Sequence, residues 1–325
     1  MGRNPIPSLR DDEPDAPAVS VQALAAISPA APTVYDRLKL VRERHDIVLP
    51  PAPNFRTSMI DRSGEEVPIA LRGYQVQMVI HLVSMMRFVA GDDTGLGKTV
   101  ETLASLCQLW RRDPDLKVVV LTKKSSVIQW EDEFTAFTAG VKVFVAVGGV
   151  AARTAIQTAF AKAKGPCVLV QGYTSVCNDF TRLQKWKGYV LVCDEATVFK
   201  NPGTRVHKVC QYYSSQAARC WGLTATLIKN NLTEGYGVYR VVVPDLFQMT
   251  MKVFMSNFCI LQMQKVAGGR QIPVVVGYRD SDIVRFRELI DPFYLGRPKH
   301  LVAKDLPTLT TKDIFVENTK FQEEK

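Results

Sequence analysis

The stretch Val89-Ala-Gly-Asp-Asp-Thr-Gly-Leu-Gly-Lys-Thr-Val100 constrains this chain more than any other. An apolar run, Met85 to Ala90, enters a glycine-containing loop, and a helical pattern starts at Lys98. Strand, glycine loop, Lys-Thr and helix together make a phosphate cradle. Backbone N–H groups converge on an anion, and the helix N-terminus adds partial positive charge. In that arrangement Lys98 reaches the terminal phosphates and the Thr99 hydroxyl binds Mg²⁺. One position departs from the strict G-x-x-x-x-G-K-[ST] pattern: Asp92 stands where the first glycine belongs, and Gly91 falls one residue early.

The surrounding pattern supports an α/β fold. Residues 74–86 suit an amphipathic helix, with Tyr74, Met78, Val79, Leu82 and Met86 as its apolar positions. The helix after the loop carries Val100, Leu103, Ala104, Cys107 and Trp110 on one face and ends at Arg111-Arg112-Asp113-Pro114. Short apolar runs follow at Lys117–Leu121, Val141–Val147, Pro166–Val170, Tyr189–Cys193 and Cys220–Leu223. Helical stretches such as Ser126–Phe137 and Ala151–Lys162 separate most of them. Buried strands alternating with helices predict a mostly parallel sheet covered on both faces, with chemistry at the carboxyl ends of the strands.

The N-terminal residues differ. Residues 1–33 are rich in Pro, Ala, Asp and Ser and predict a loose arm; a short helical candidate spans 34–47, and Pro50, Pro51 and Pro53 interrupt the chain. No apolar run is long enough to span a membrane, and no secretory signal core opens the chain. The seven cysteines form no C-x-x-C pair, which predicts reduced, buried thiols in an intracellular protein. Residues 61–325 hold 34 basic against 25 acidic side chains, so the folded part carries the whole excess charge of +9. That excess is compatible with nucleic-acid binding.

Val190-Leu-Val-Cys-Asp-Glu195 is the second informative run. An apolar strand ending in adjacent acids suits a nucleotide hydrolase. Asp194 would hold Mg²⁺ and Glu195 would activate the attacking water. Gln75, in Leu71-Arg-Gly-Tyr-Gln75, has the donor and acceptor that an adenine edge requires. Thr224-Ala-Thr226 places small hydroxyls at another strand end, where they can couple to the acids or the γ-phosphate.

Taken in order, these pieces resemble the superfamily 2 helicase-like ATPases, and more narrowly the SWI/SNF-type DNA translocases. Residues 71–75 resemble that family's adenine motif, and 92–99 its Asp-Glu-Met-Gly-Leu-Gly-Lys-Thr loop, which also begins with Asp. The run 119–134, ending Trp-Glu-Asp-Glu-Phe134, looks like the motif in which a strand leads to a DNA-touching loop and a Trp-x-x-Glu-Phe helix. Asp194-Glu-Ala-Thr-Val-Phe-Lys-Asn201 resembles Asp-Glu-Ala-His followed by Lys-Asn, with Thr197 in the His position. Leu223-Thr-Ala-Thr-Leu227 resembles Leu-Thr-Gly-Thr-Pro, with Ala225 and Leu227 departing from it. Residues 293–307 look like the basic segment leaving the first lobe, with Gly296 where the first of two arginines is common and Arg297 retained.

The resemblance implies a RecA-like P-loop NTPase lobe over residues 56–318, with a small helical insertion at about 248–292. A flexible or extended arm over 1–55 precedes it, and a linker starts at 319–325. It implies ATP and Mg²⁺ as ligands. The nucleotide site would use Arg72, Gln75, Asp92, Asp93, Thr94, Gly95, Leu96, Gly97, Lys98 and Thr99. Thr99 and Asp194 would hold the metal, Lys98, Asp194 and Glu195 would carry the chemistry, and Thr224 and Thr226 would couple motifs. Double-stranded DNA would lie against Lys123, Lys124 and Ser125, against Gln171 to Ser175 (chiefly Thr174 and Ser175), and against Lys229 and Asn230. These would be backbone contacts that do not read sequence. The family's working unit has two lobes with ATP between them. Only one apolar run, Ile314–Val316, follows Pro307, so a second RecA-like lobe is expected to be absent from this chain and the fragment alone weakly active. An RNA helicase of the DEAD-box kind and a non-hydrolysing nucleotide or DNA scaffold are the alternatives. No basic import cluster is visible, which favours a cytoplasmic or nucleoid setting in a prokaryote or virus over a nuclear one.

Overall fold

The computed structural model describes residues 33–44, 46–60, 63–265, 269 and 271–302. The arm through residue 32, the Ile314–Val316 run and the 319–325 linker lie outside the described residues. Strands β1 (Ser58–Ile60) and β2 (Glu66–Pro68) form a small antiparallel hairpin. Seven strands build the central sheet: β3 (Arg87–Ala90), β4 (Lys117–Thr122), β5 (Lys142–Ala146), β6 (Cys167–Gly172), β7 (Val190–Asp194), β8 (Arg219–Leu223) and, after an outlying hairpin of β9 (Ile260–Lys265) and β10 (Gln271–Gly277), β11 (Tyr294–Leu295). Their order across the sheet is β11-β3-β8-β7-β4-β6-β5, and every pairing is parallel.

The two-residue alternation of strands sorts the core into two layers. Phe88, Ala90, Val118, Val120, Val168, Val170, Val190, Val192 and Trp221 face one side, against the helices Gly73–Ser84, Lys98–Arg112 and Val127–Phe137. Val89, Val119, Leu121, Leu169, Leu191, Cys193 and Cys220 face the other. There the helices Val150–Lys162, Tyr173–Asn178, Arg205–Gln216 and Leu232–Val242 cover them. Each buried Val, Leu or Phe contributes roughly 1.5–3 kcal/mol to such a core. All seven cysteines are buried and unpaired.

Three features differ from the sequence expectation. The helix entering the site stops at Ser84, so Met86 is exposed, and Arg87 opens the strand by donating to Ser214 and Ala217 backbone carbonyls. The insertion is only partly helical. The β9–β10 hairpin stands between the helices Met251–Phe258 and Asp280–Ile290, and Phe254, Phe258 and Phe286 anchor these helices on Phe247. Lastly, residues 33–44 and 46–55 lie against the body. Thr33 caps the helix Val34–Glu43, Leu38 is buried, Arg42 donates to Asp291 and to the Tyr294 carbonyl, and Gln108 donates to the Pro50 carbonyl.

Candidate active site

Strand order explains which loops meet. Between β3, which feeds the phosphate loop, and β7, which ends in the two acids, lies only β8. Leu223 pairs with Ala90 on one side and Asp194 on the other. The residue beyond it, Thr224, therefore lies between the phosphate loop and the acids. Its N–H donates to the Ala90 carbonyl at 3.0 Å, and its hydroxyl accepts from the Thr226 N–H at 3.1 Å. Thr224 is buried and Thr226 exposed.

The loop holds the shape of an anion cradle. Gly97 sits at φ 94°, which favours glycine, and a Cβ there would lie 2.4 Å from the Gln75 amide nitrogen. Lys98 starts the Lys98–Arg112 helix and folds its ammonium back onto the Asp92 and Asp93 carbonyls, at 2.5 and 3.1 Å. Burial lowers the Lys98 pKa, while Asp92, Glu101, Glu195 and Asp194 oppose that shift. The two motifs meet across β8, whose Leu223 pairs with both Ala90 and Asp194. Thr99, the predicted metal ligand, is half-buried in the first turn of the same helix; Thr94 and Gly95 are exposed at the loop tip.

Asp92, the apparent flaw in the glycine pattern, is completely buried and clamped by Arg297. The guanidinium gives Nε to one carboxylate oxygen at 3.0 Å and a terminal nitrogen to the other at 2.5 Å. Arg297 also donates to the Tyr74 carbonyl at 2.7 Å and to Gln77 Oε1 at 3.0 Å. A glycine in the strict pattern leaves room for phosphate. Here the first position is a structural anchor that ties the loop to the segment after β11. Glu101 lies 3.8 Å from the same arginine, and neither of its oxygens has a hydrogen-bond partner. Burial, then the Asp92 charge, pushes its carboxyl well above the usual range against Arg297 and Lys98. Arg297 spends its hydrogen bonds on Asp92, the Tyr74 carbonyl and Gln77, and Glu101 receives none of them.

Asp194 is oriented by residues that the sequence marked only for other roles. Its Oδ2 accepts from the Thr122 hydroxyl at 2.7 Å and from Trp130 Nε1 at 3.0 Å, while the Tyr173 hydroxyl holds its carbonyl at 2.6 Å. Both side-chain donors use one oxygen, so Oδ1 is the oxygen open to a metal-bound water. The register foretells this meeting: Leu121 pairs with Cys193, and Thr122 pairs with Gly172. Thr122 and Asp194 thus end adjacent strands at one level, and Tyr173 follows directly on Gly172, the end of the next. Trp130 is the tryptophan of the Trp-x-x-Glu-Phe run. Glu195 is the one non-glycine residue at positive φ among the described residues, at 53°. The conformation costs on the order of 1 kcal/mol and turns its carboxylate away from the strand direction. The buried Ala196 and Phe199 and the Val198 N–H to Glu195 carbonyl bond hold it there.

Other predicted residues fall differently. Gln75 accepts from the Arg72 N–H and donates to the Leu96 carbonyl at 3.0 Å. Its amide thus braces the loop with both ends engaged, and Arg72 itself is exposed. Leu96 is buried against Tyr74, so only its backbone can meet a ligand. Gln171 is not at the surface: it donates to Asp179, which also pairs with Arg153. Tyr173 is buried too, leaving Thr174 exposed and Ser175 half-buried from that segment. The Gly172 position lies against the Lys124 backbone, so the loops after β4 and β6 form one continuous edge. Lys123, Lys124 and Ser125 are exposed on it, and the Lys123 ammonium stands 3.8 Å from Glu195. Lys229 and Asn230 are exposed, their N–H groups held by Glu234. No helix among the described residues is long and apolar enough to cross a membrane.

Comparison with known proteins bears on the family and the fold. A profile of the SNF2-related domain matches residues 74–325. Mouse (Mus musculus) chromodomain-helicase-DNA-binding protein 1-like is 29% identical over 253 residues, covering 76% of this chain and 26% of that protein. The human (Homo sapiens) SWI/SNF-related matrix-associated actin-dependent regulator of chromatin subfamily A member 1 is 28% identical over 78% of this chain and 23% of its own length. The chain spans about a quarter of these curated relatives. The solved Sulfolobus solfataricus SWI2/SNF2 ATPase core in complex with dsDNA has the same fold, with a TM-score of 0.61 at 22% identity over 80% of this chain and 49% of that one.

Proposed function

Because the chain belongs to the SNF2-related domain family, we propose that it is the ATP-binding lobe of a motor that couples ATP hydrolysis to movement along double-stranded DNA. The observation that carries this is the convergence of Lys98 with Asp194 and Glu195 across one intervening strand, with the exposed Lys123–Ser125 loop beside Glu195. The residues fit MgATP. Loop N–H groups and Lys98 would take the phosphates, and Thr99 and Asp194 Oδ1 would hold Mg²⁺. When bound, ATP supplies the phosphoryl group that passes to water. Glu195 would accept the proton of that water, its carboxylate aimed by the left-handed turn. Thr122 and Trp130 keep Asp194 in one rotamer, so the electrostatics are set before the reaction.

The boundaries we propose are a lobe over 56–318 with its insertion at 248–292, preceded by a segment whose residues 33–44 and 46–55 dock on it. A second RecA-like lobe would face this site and supply the remaining charge to the γ-phosphate. Duplex DNA would run along the edge formed by Lys123, Lys124, Ser125, Thr174 and Ser175, with Lys229 and Asn230 at its other end. The lobe would work in whichever compartment holds that DNA.

ATP turnover, measured on the chain alone and joined to a second RecA-like lobe, tests this reading with duplex DNA and RNA as stimulants. Stimulation by duplex DNA in the joined form is expected. Stimulation by RNA alone would move the chain to an RNA-directed function, and no turnover in any form would leave it a scaffold.

A further inference from the structure

The segment after β11 does more than leave the lobe. Its backbone runs beside the phosphate loop: Gly91 N–H donates to the Leu295 carbonyl, Asp93 N–H to the Arg297 carbonyl, and Lys299 N–H to Asp93 Oδ2 at 2.8 Å. The short helix Lys299–Val302 is fixed at its far end as well, where Val302 packs on Tyr74 and Leu96. Lys299 is therefore held over the loop from both sides. Its ammonium crosses to Gly95, at φ 81°, where a Cβ would lie 3.3 Å from it; among the described residues beyond its chain neighbours, no other group comes within 4 Å of that position. Lys299 is exposed, and its ammonium pairs with no carboxylate of the described residues.

From this placement we infer that Lys299 is a second phosphate-binding cation of the nucleotide site, closing the loop mouth opposite Lys98. The inference rests on the nucleotide reading above. Lys98 approaches from the helix inside the loop, and Lys299 from outside it, at the loop tip. A nucleoside triphosphate carries about four negative charges; Mg²⁺ offsets about two of them and Lys98 one, so a second ammonium would balance the rest. Gly95 permits the approach, since a side chain there would crowd the ammonium. Because the Lys299 backbone is already pinned, little ordering remains to oppose the contact.

Binding of a fluorescent ADP and competition by inorganic tripolyphosphate, both with Mg²⁺ and measured on the 325-residue chain, test this. Lys299→Met keeps the stem and removes the charge. Affinity for both probes is expected to fall about tenfold, as for loss of one charge-assisted contact, and Lys299→Arg is expected to recover most of it. Unchanged affinity in Lys299→Met would overturn the inference, and so would tighter binding, which would make Lys299 a plug that competes with phosphate. If wild type and Lys98→Ala both fail to bind either probe, the nucleotide reading itself falls, and this inference with it. The Lys299 side chain makes no hydrogen bond among the described residues, so unfolding midpoints of the variants are expected to match wild type.

Discussion

Removing the Arg297 guanidinium is the sharpest probe of how this lobe is held together. Arg297→Ala deletes two bonds to Asp92, one to the Tyr74 carbonyl and one to Gln77. Asp92 is fully buried, and the arginine side chain is 12% exposed. Water cannot replace the lost partner on the Asp92 side, and Glu101 lies in the same pocket. Breaking one side of a buried pair costs about 3–5 kcal/mol, a large share of the roughly 5–15 kcal/mol that holds a domain folded. At about 2–4 °C per kcal/mol for a domain near this size, Tm should fall by roughly 10 °C. Arg297→Lys should recover little, since one ammonium cannot span both carboxylate oxygens. Urea unfolding of Arg297→Met, Asp92→Asn and the double variant reads the coupling directly, with about 2 kcal/mol or more expected. A single-variant cost under about 1 kcal/mol, or additivity within about 0.5 kcal/mol, would refute the clamp.

Thr122→Val removes the 2.7 Å hydroxyl bond to Asp194 while keeping the side-chain shape; the Mg²⁺ concentration needed for ATP binding should rise about tenfold, and an unchanged Mg²⁺ titration would show that Asp194 needs no such support. Glu101→Gln tests the burial-raised carboxyl. Its folded pKa is raised, so the wild-type contribution is fully present below the unfolded carboxyl range and is lost as pH rises towards the folded value. The variant should therefore gain stability over wild type with increasing pH above about 4.5 and match it below, and a pH-independent difference in unfolding midpoint would oppose this. Lys123→Ala with Lys124→Ala should weaken duplex DNA binding and flatten its logarithmic salt slope by about 1–2; an unchanged slope would take that loop off the DNA path.

Much of the fold is visible in the residues because its strands are apolar on both faces. Val118 to Leu121 and Val190 to Cys193 alternate between two cores, so they read as continuous apolar runs. The two-residue strand Tyr294–Leu295 has no such run, and the sequence pattern shows it only as part of a basic exit segment. The phosphate loop and the acid pair are local motifs and appear at their true positions. The groups that orient them are not local. Arg297 reaches Asp92 across 205 residues, Thr122 reaches Asp194 across 72, and Trp130 reaches it across 64. Such partners follow from strand order, which composition and spacing do not specify. Gln171 misleads for the opposite reason: a polar residue at a strand end is usually wet, but here Asp179, Arg153 and Gln157 build a buried polar network around it.

Equilibrium binding of MgATP to the wild-type chain, Lys98→Ala and Glu195→Gln tests the central claim most directly. The structure predicts that Glu195→Gln binds within about twofold of wild type, since Glu195 acts on the attacking water, and that Lys98→Ala binds about tenfold or more weakly. Equal binding by Lys98→Ala and wild type would contradict the claim that this loop is the phosphate site.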